Sequence, residues 1–235
     1  MIKKLIVILI FFSLILLFSY SKNNKNFINY TLLGDKESFS NNIMSKNYSD
    51  LIYDELYKRK IIGFYNKSYI KEDIRIIDLL NSIKDNEKIE DVPIQNILKK
   101  SNLIIISIGN NEIDYKLSKI DEDSSAYTIY SYLDEVEKDY ILLLNTIKKY
   151  NNSNIIVLGF YNKSKNPLSS KYYKYINNKV KNYCNSNKII YINTYQIYDK
   201  KNDIKNTSYV SNDTNISLFN KIYSKIDKLY LHKIH

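Results

Sequence analysis

The stretch YTLLGDKESFS, Tyr30–Ser40, is a short apolar run that stops at a glycine and an aspartate. With Ile28 and Asn29 ahead of it, INYTLLG (28–34) reads as a strand that delivers its end to a site. Four more runs share its character: KIIGFY (60–65), NLIIISIG (102–109), NIIVLGF (154–160) and KIIYINT (188–194). All are short, nearly continuous, and rich in Ile, Leu and Val. Strands buried on both faces of a parallel sheet have this composition.

Helix-like segments fall between and after these runs, near 42–59, 70–84, 126–150, 169–186 and 216–230. In YTIYSYLDEVEKDYILLLNTIKKY, apolar residues recur at three- and four-residue steps: Tyr132, Val136, Tyr140, Leu143, Leu144 and Ile147. Strand–helix alternation of this kind predicts an α/β domain of three layers with right-handed crossovers.

The glycines sharpen the picture. The chain has only four, Gly34, Gly63, Gly109 and Gly159, and each stands at or near the end of an apolar run. In so glycine-poor a chain they mark places where the backbone turns sharply or something approaches closely. The carboxyl ends of strands in an open parallel sheet are also where ligands bind. The hexapeptide GFYNKS occurs twice, at Gly63–Ser68 and Gly159–Ser164. One hexapeptide at that distance is a coincidence of composition, not a repeat architecture.

Composition narrows the rest. Residues 1–21 open with Lys3 and Lys4, run through a greasy segment from Leu5 to about Phe18, and end at Ser19-Tyr20-Ser21. This is the form of a signal peptide or of a retained membrane anchor, and either one sends the rest of the chain out of the cytoplasm. A polar linker (22–27) then leads into one domain over 28–232. The single cysteine, Cys184, excludes an internal disulfide and reads as a spectator. The net charge of +10 invites anionic partners. The lysines are spread along the chain, however, and Lys, Asn, Ile and Tyr are abundant together, as an A/T-rich coding sequence produces. No nucleic-acid partner is expected, and membrane contact is expected only through the N-terminal segment. The same bias explains the many N-x-S/T triplets. There is no phosphate loop and no His/Cys cluster, so no cofactor and no metal are expected.

Three polar blocks follow strand-like runs or face their ends. They are Gly34-Asp35-Lys36-Glu37-Ser38, Gly109-Asn110-Asn111-Glu112, and Ser211-Asn212-Asp213-Thr214-Asn215 ahead of the last helix. Their order and spacing resemble those of the SGNH (GDSL-type) hydrolases, a family of esterases and lipases, over roughly 28–230. That resemblance implies a flavodoxin-like α/β/α sandwich with a central parallel sheet of about five strands. It places the strand-end turn at Gly34, Asp35 and Gly109, and an oxyanion-hole asparagine at Asn111. Ser68 is the nearest polar candidate for the other oxyanion position. The segment VLGFYNKSKNP also resembles the stretch after the fourth strand in Gram-positive members.

The same resemblance shows what is missing. Lys36 stands at the nucleophile serine, Asn215 at the base histidine, and Asn212 at its aspartate, with Asp213 adjacent. Ser38 lies two residues past the nucleophile position. The two histidines, His232 and His235, lie beyond the last expected helix. A serine hydroxyl needs a neighbouring base to attack an ester near neutral pH. The expectation is therefore an exported esterase-fold protein without ester hydrolysis. It would bind a small molecule, envelope polymer or partner at the strand ends. The alternative is an active hydrolase with a rearranged site, using Ser38 or Lys36 with Asp213 or Glu112. A third reading is an unrelated α/β binding module of the envelope, which a sheet order unlike the flavodoxin type would favour.

Overall fold

In the computed structural model, the described residues are 27–35, 46–121, 123–162, 167–200 and 211–231, with backbone alone at 167–168 and 199–200. The leader 1–21, most of the linker 22–27, Lys36, Ser38 and both histidines lie outside them. No helix among the described residues is long and apolar enough to cross a membrane.

The five apolar runs are the five strands of one sheet: β1 (Ile28–Gly34), β2 (Ile62–Asn66), β5 (Leu103–Ser107), β6 (Asn154–Leu158) and β7 (Ile190–Ile192). A two-residue-per-strand hairpin, β3 (Lys88–Ile89) and β4 (Val92–Pro93), stands apart. The sheet order is β2-β1-β5-β6-β7, with every pairing parallel. Counting sheet strands alone, this is 2-1-3-4-5, the flavodoxin order. The order reverses between β1 and β5, so the switch-point crevice lies outside Gly34 and Ser107, which are register partners.

Side-chain alternation builds the three layers. Leu33, Ile104, Ile106, Ile155 and Val157 point to one face. There they meet α2 (Ile76–Lys84), α3 (Ile94–Lys100), α5 (Ala126–Tyr150) and α6 (Pro167–Ser186). Ile28, Tyr30, Leu32, Leu103, Ile105, Ile156 and Leu158 point to the other. That face is covered by α1 (Tyr48–Lys58), α7 (Tyr195–Lys200) and α8 (Asn212–Ile226). The period of two along each strand therefore fixes both cores. A short helix, α4 (Asn110–Leu117), follows β5 directly.

The helices begin where side chains can take up free N–H groups. Asn47 accepts from Ser49 and Asp50 at the start of α1, Ser125 from Thr128 at α5, and Ser211 from Thr214 at α8. In α5 the buried stripe is Ile129, Leu133, Val136, Tyr140, Leu143, Leu144 and Ile147. Leu133 thus takes the core position that the spacing gave to Tyr132, which is half-buried beside Lys116. The edge strand β2 is also half-exposed along its length, not buried on both faces, because no strand among the described residues pairs beyond it. The helix expected from 70 begins at Ile76, and the last one begins at Asn212 rather than near 216.

Candidate active site

Two glycines shape the strand-end site. A Cβ on Gly34 would lie 2.1 Å from the Ser107 carbonyl oxygen, so only glycine lets β1 close against β5 here. The next amide, Asp35 N–H, donates to that same carbonyl at 2.8 Å. Gly109 sits at φ 122° where the chain turns from β5 into α4, with the Phe160 ring packed beneath it. Both positions need glycine for reasons of geometry.

The loop after β2 folds back onto this turn. Lys71 N–H donates to the Gly34 carbonyl at 3.2 Å, and Ile70 bridges Gly34 in parallel. Ser68 is therefore carried to the end of β1. It is half-buried and engaged locally: its N–H donates to Asn66 Oδ1 at 3.3 Å, and Asn66 Nδ2 donates to its Oγ at 3.1 Å. Asn111 reaches the same loop, donating from Nδ2 to the Ile74 carbonyl at 3.3 Å. Its neighbour Asn110 accepts from Tyr161 N–H at 3.2 Å, tying the end of β5 to the end of β6. The structure thus gathers Gly34, Asp35, Ser68, Gly109 and Asn111 at one end of the sheet. The amides of both asparagines hold loops together.

Asp35 is 1 % exposed. Its carboxylate lies beneath the strand ends, close enough to Tyr140 to act on it electrostatically. Burial above all pushes the Tyr140 hydroxyl well above its ordinary value, with Cys184, Tyr191 and Asp35 adding to the effect. The end of β1 therefore lies close to buried polar groups of the helical layer. Between the ends of β5, β6 and β7 the described residues enclose only about 10 Å³, beside Ser107, Asn110, Thr194 and Tyr198. That is room for about one water.

Asn215, the residue that the sequence resemblance aligns with the family's base, is 1 % exposed. Its Oδ1 accepts from the backbone N–H of Tyr48 at 3.0 Å, and its Nδ2 donates to the Ser211 carbonyl at 3.2 Å. The side chain joins the start of α8 to the start of α1. Asp213, two residues earlier, lies exposed on the first turn of α8.

Glu112 is the remaining carboxylate of the blocks among the described residues. It occupies the first turn of α4 with its side chain 3 % exposed. Oε1 is 4.0 Å from the Arg75 guanidinium, and Oε2 has no hydrogen-bond partner among the described residues. Burial raises its pKa, Arg75 and Lys116 oppose the rise, and Asp139 and Asp78 add to it. These neighbours belong to α4, α5, α2 and the turn before α2, so the carboxylate faces the helical layer. Arg75 lies 4.2 Å from the Tyr115 ring centroid. No sequence motif singles out Arg75, although it is one of only two arginines, Arg59 being the other. No group of three or more His, Cys, Asp or Glu side chains among the described residues is placed to hold a metal ion.

No family profile matches the chain, and no curated protein does. Solved structures do. A lipase, Lip_vut3, from goat rumen metagenome superposes with TM-score 0.68 at 16 % identity, over 84 % of this chain and 96 % of its own. A member of the lipolytic G-D-S-L family from Veillonella parvula gives 0.59 at 12 %, over 84 % and 97 %. An acetyl xylan esterase, AlAXEase, gives 0.60 at 15 %, over 85 % and 100 %. The fold is that of the SGNH (GDSL-type) esterases and lipases, across nearly the full length of each neighbour.

Proposed function

We propose that this chain is an exported protein of SGNH fold that does not hydrolyse esters and serves instead to bind an envelope ligand or partner at its strand ends. Asn215 carries the reading. A general base must accept a proton and reach the nucleophile. An asparagine amide does not accept one near neutral pH, and this one spends its oxygen on Tyr48 and its nitrogen on Ser211 while almost fully buried. Asn111 supports it, since its amide is engaged with the Ile74 carbonyl. Lys36 in place of the nucleophile agrees with both. The rearranged-site reading draws little from the geometry, because Glu112 faces Arg75 and the helical layer.

Intact-mass measurement after exposure of the full chain to a fluorophosphonate tests the proposal. An activated serine would attack phosphorus through Oγ, lose its proton to the base and expel fluoride. The wild type is expected to stay unmodified. A single adduct mapped to Ser38 would overturn the reading.

A further inference from the structure

One cavity with described walls lies away from the switch point. It is a groove of about 610 Å³ at the β7 edge, between α6 and the chain leaving β7. That volume falls within the range of small-molecule sites, about 300–1,000 Å³. Its walls include Lys171, Lys174 and Asn178 from α6, and Asn193, Tyr195 and Gln196 from the far side. The groove has a fixed floor. The Tyr195 hydroxyl donates to Ser170 Oγ at 2.9 Å, and Asn177 holds Phe160 through both halves of its amide.

The walls are chemically one-sided. No carboxylate among the described residues lines the groove. Lys171 meets only the face of Tyr130, at 5.6 Å, and Lys174 has no ion-pair partner among the described residues. Lys179, further along α6, is by contrast held by Asp134 at 2.9 Å and Glu137 at 2.7 Å. The amides of Asn178 and Gln196 each add two donors and an acceptor to the same wall. Side-chain amides match the paired donor and acceptor of sugar hydroxyls, the Tyr195 ring offers a flat apolar surface, and the two ammonium groups match an anion.

We infer that this groove is a second binding site, and that its ligand is an acidic saccharide, one bearing carboxylate or phosphate groups. The site goes beyond the proposed function. It is separate from the switch point and stands whether or not the strand ends hydrolyse esters.

The test is calorimetric titration of the full chain at low salt with trigalacturonate, glucose 6-phosphate and neutral maltotriose. Saturable binding is expected for at least one acidic saccharide and not for maltotriose, and which one binds separates carboxylate from phosphate recognition. Lys174→Glu is expected to weaken that binding about tenfold or more, the loss of a charge-assisted contact. Lys58→Glu makes the same charge change on α1, remote from the groove, and should leave binding intact. The inference is overturned if neither acidic saccharide binds, if maltotriose binds as well, if Lys174→Glu has no effect, or if Lys58→Glu weakens binding equally. Failure here leaves the fluorophosphonate result untouched.

Discussion

The side-chain oxygen of Asn215 accepts a hydrogen bond from the backbone N–H of Tyr48 at 3.0 Å, across 167 residues of sequence. The bond fastens the first turn of α8 to the first turn of α1. Asn215→Ala should therefore destabilise the fold. Loss of a buried acceptor costs about 1–3 kcal/mol. Urea unfolding should show a lower midpoint with an unchanged slope, whereas an unchanged midpoint would mean that the bond contributes nothing.

Gly34 faces the Ser107 carbonyl with no room for a methyl group. Gly34→Ala should push β1 and β5 apart at the switch point and cost about 3 kcal/mol or more. The same unfolding experiment checks it, and a variant as stable as the wild type would contradict the packing.

How much of the structure is legible in the sequence depends on range. The strands are legible because each is a run of Ile, Leu and Val with a rare glycine at or near its end, and those glycines do mark close approaches. The short hairpin 88–93 and the helices 94–100, 110–117 and 195–200 are not. They are too brief to show a hydrophobic period, and tertiary packing decides them. The positions of Asn111 and Asn215 come from block order, but their bonds to Ile74 and Tyr48 do not. Partners 37 and 167 residues apart leave no local pattern. The β7-edge groove is likewise assembled from two segments, neither of which is a motif alone.

Glu112 should give stability a pH dependence of definite sign. Its carboxyl is raised in the fold above the ordinary value of 4.5, chiefly by burial, so the unfolded chain ionises first. Between the unfolded and folded values the native state holds more protons, and stability falls as pH rises through that window. Glu112→Gln removes this fall. The variant should gain stability relative to the wild type on going from acid to neutral pH, measured by urea unfolding across the range. Parallel curves would contradict the assignment.

Cys184 is fully buried, and burial pushes its thiol up to about 12. The thiolate is the reactive form, so the native protein should resist Ellman's reagent at neutral pH and react fully once unfolded in urea. Rapid stoichiometric reaction in native buffer would show that the α6 packing is wrong.

The central claim is that an esterase fold persists here without ester hydrolysis. Turnover of short-chain p-nitrophenyl esters by the purified full chain tests it most directly. The account predicts a rate no higher than that of the ester in buffer alone. Turnover above that rate, abolished by a single substitution at Lys36, Ser38 or Asp213, would contradict it.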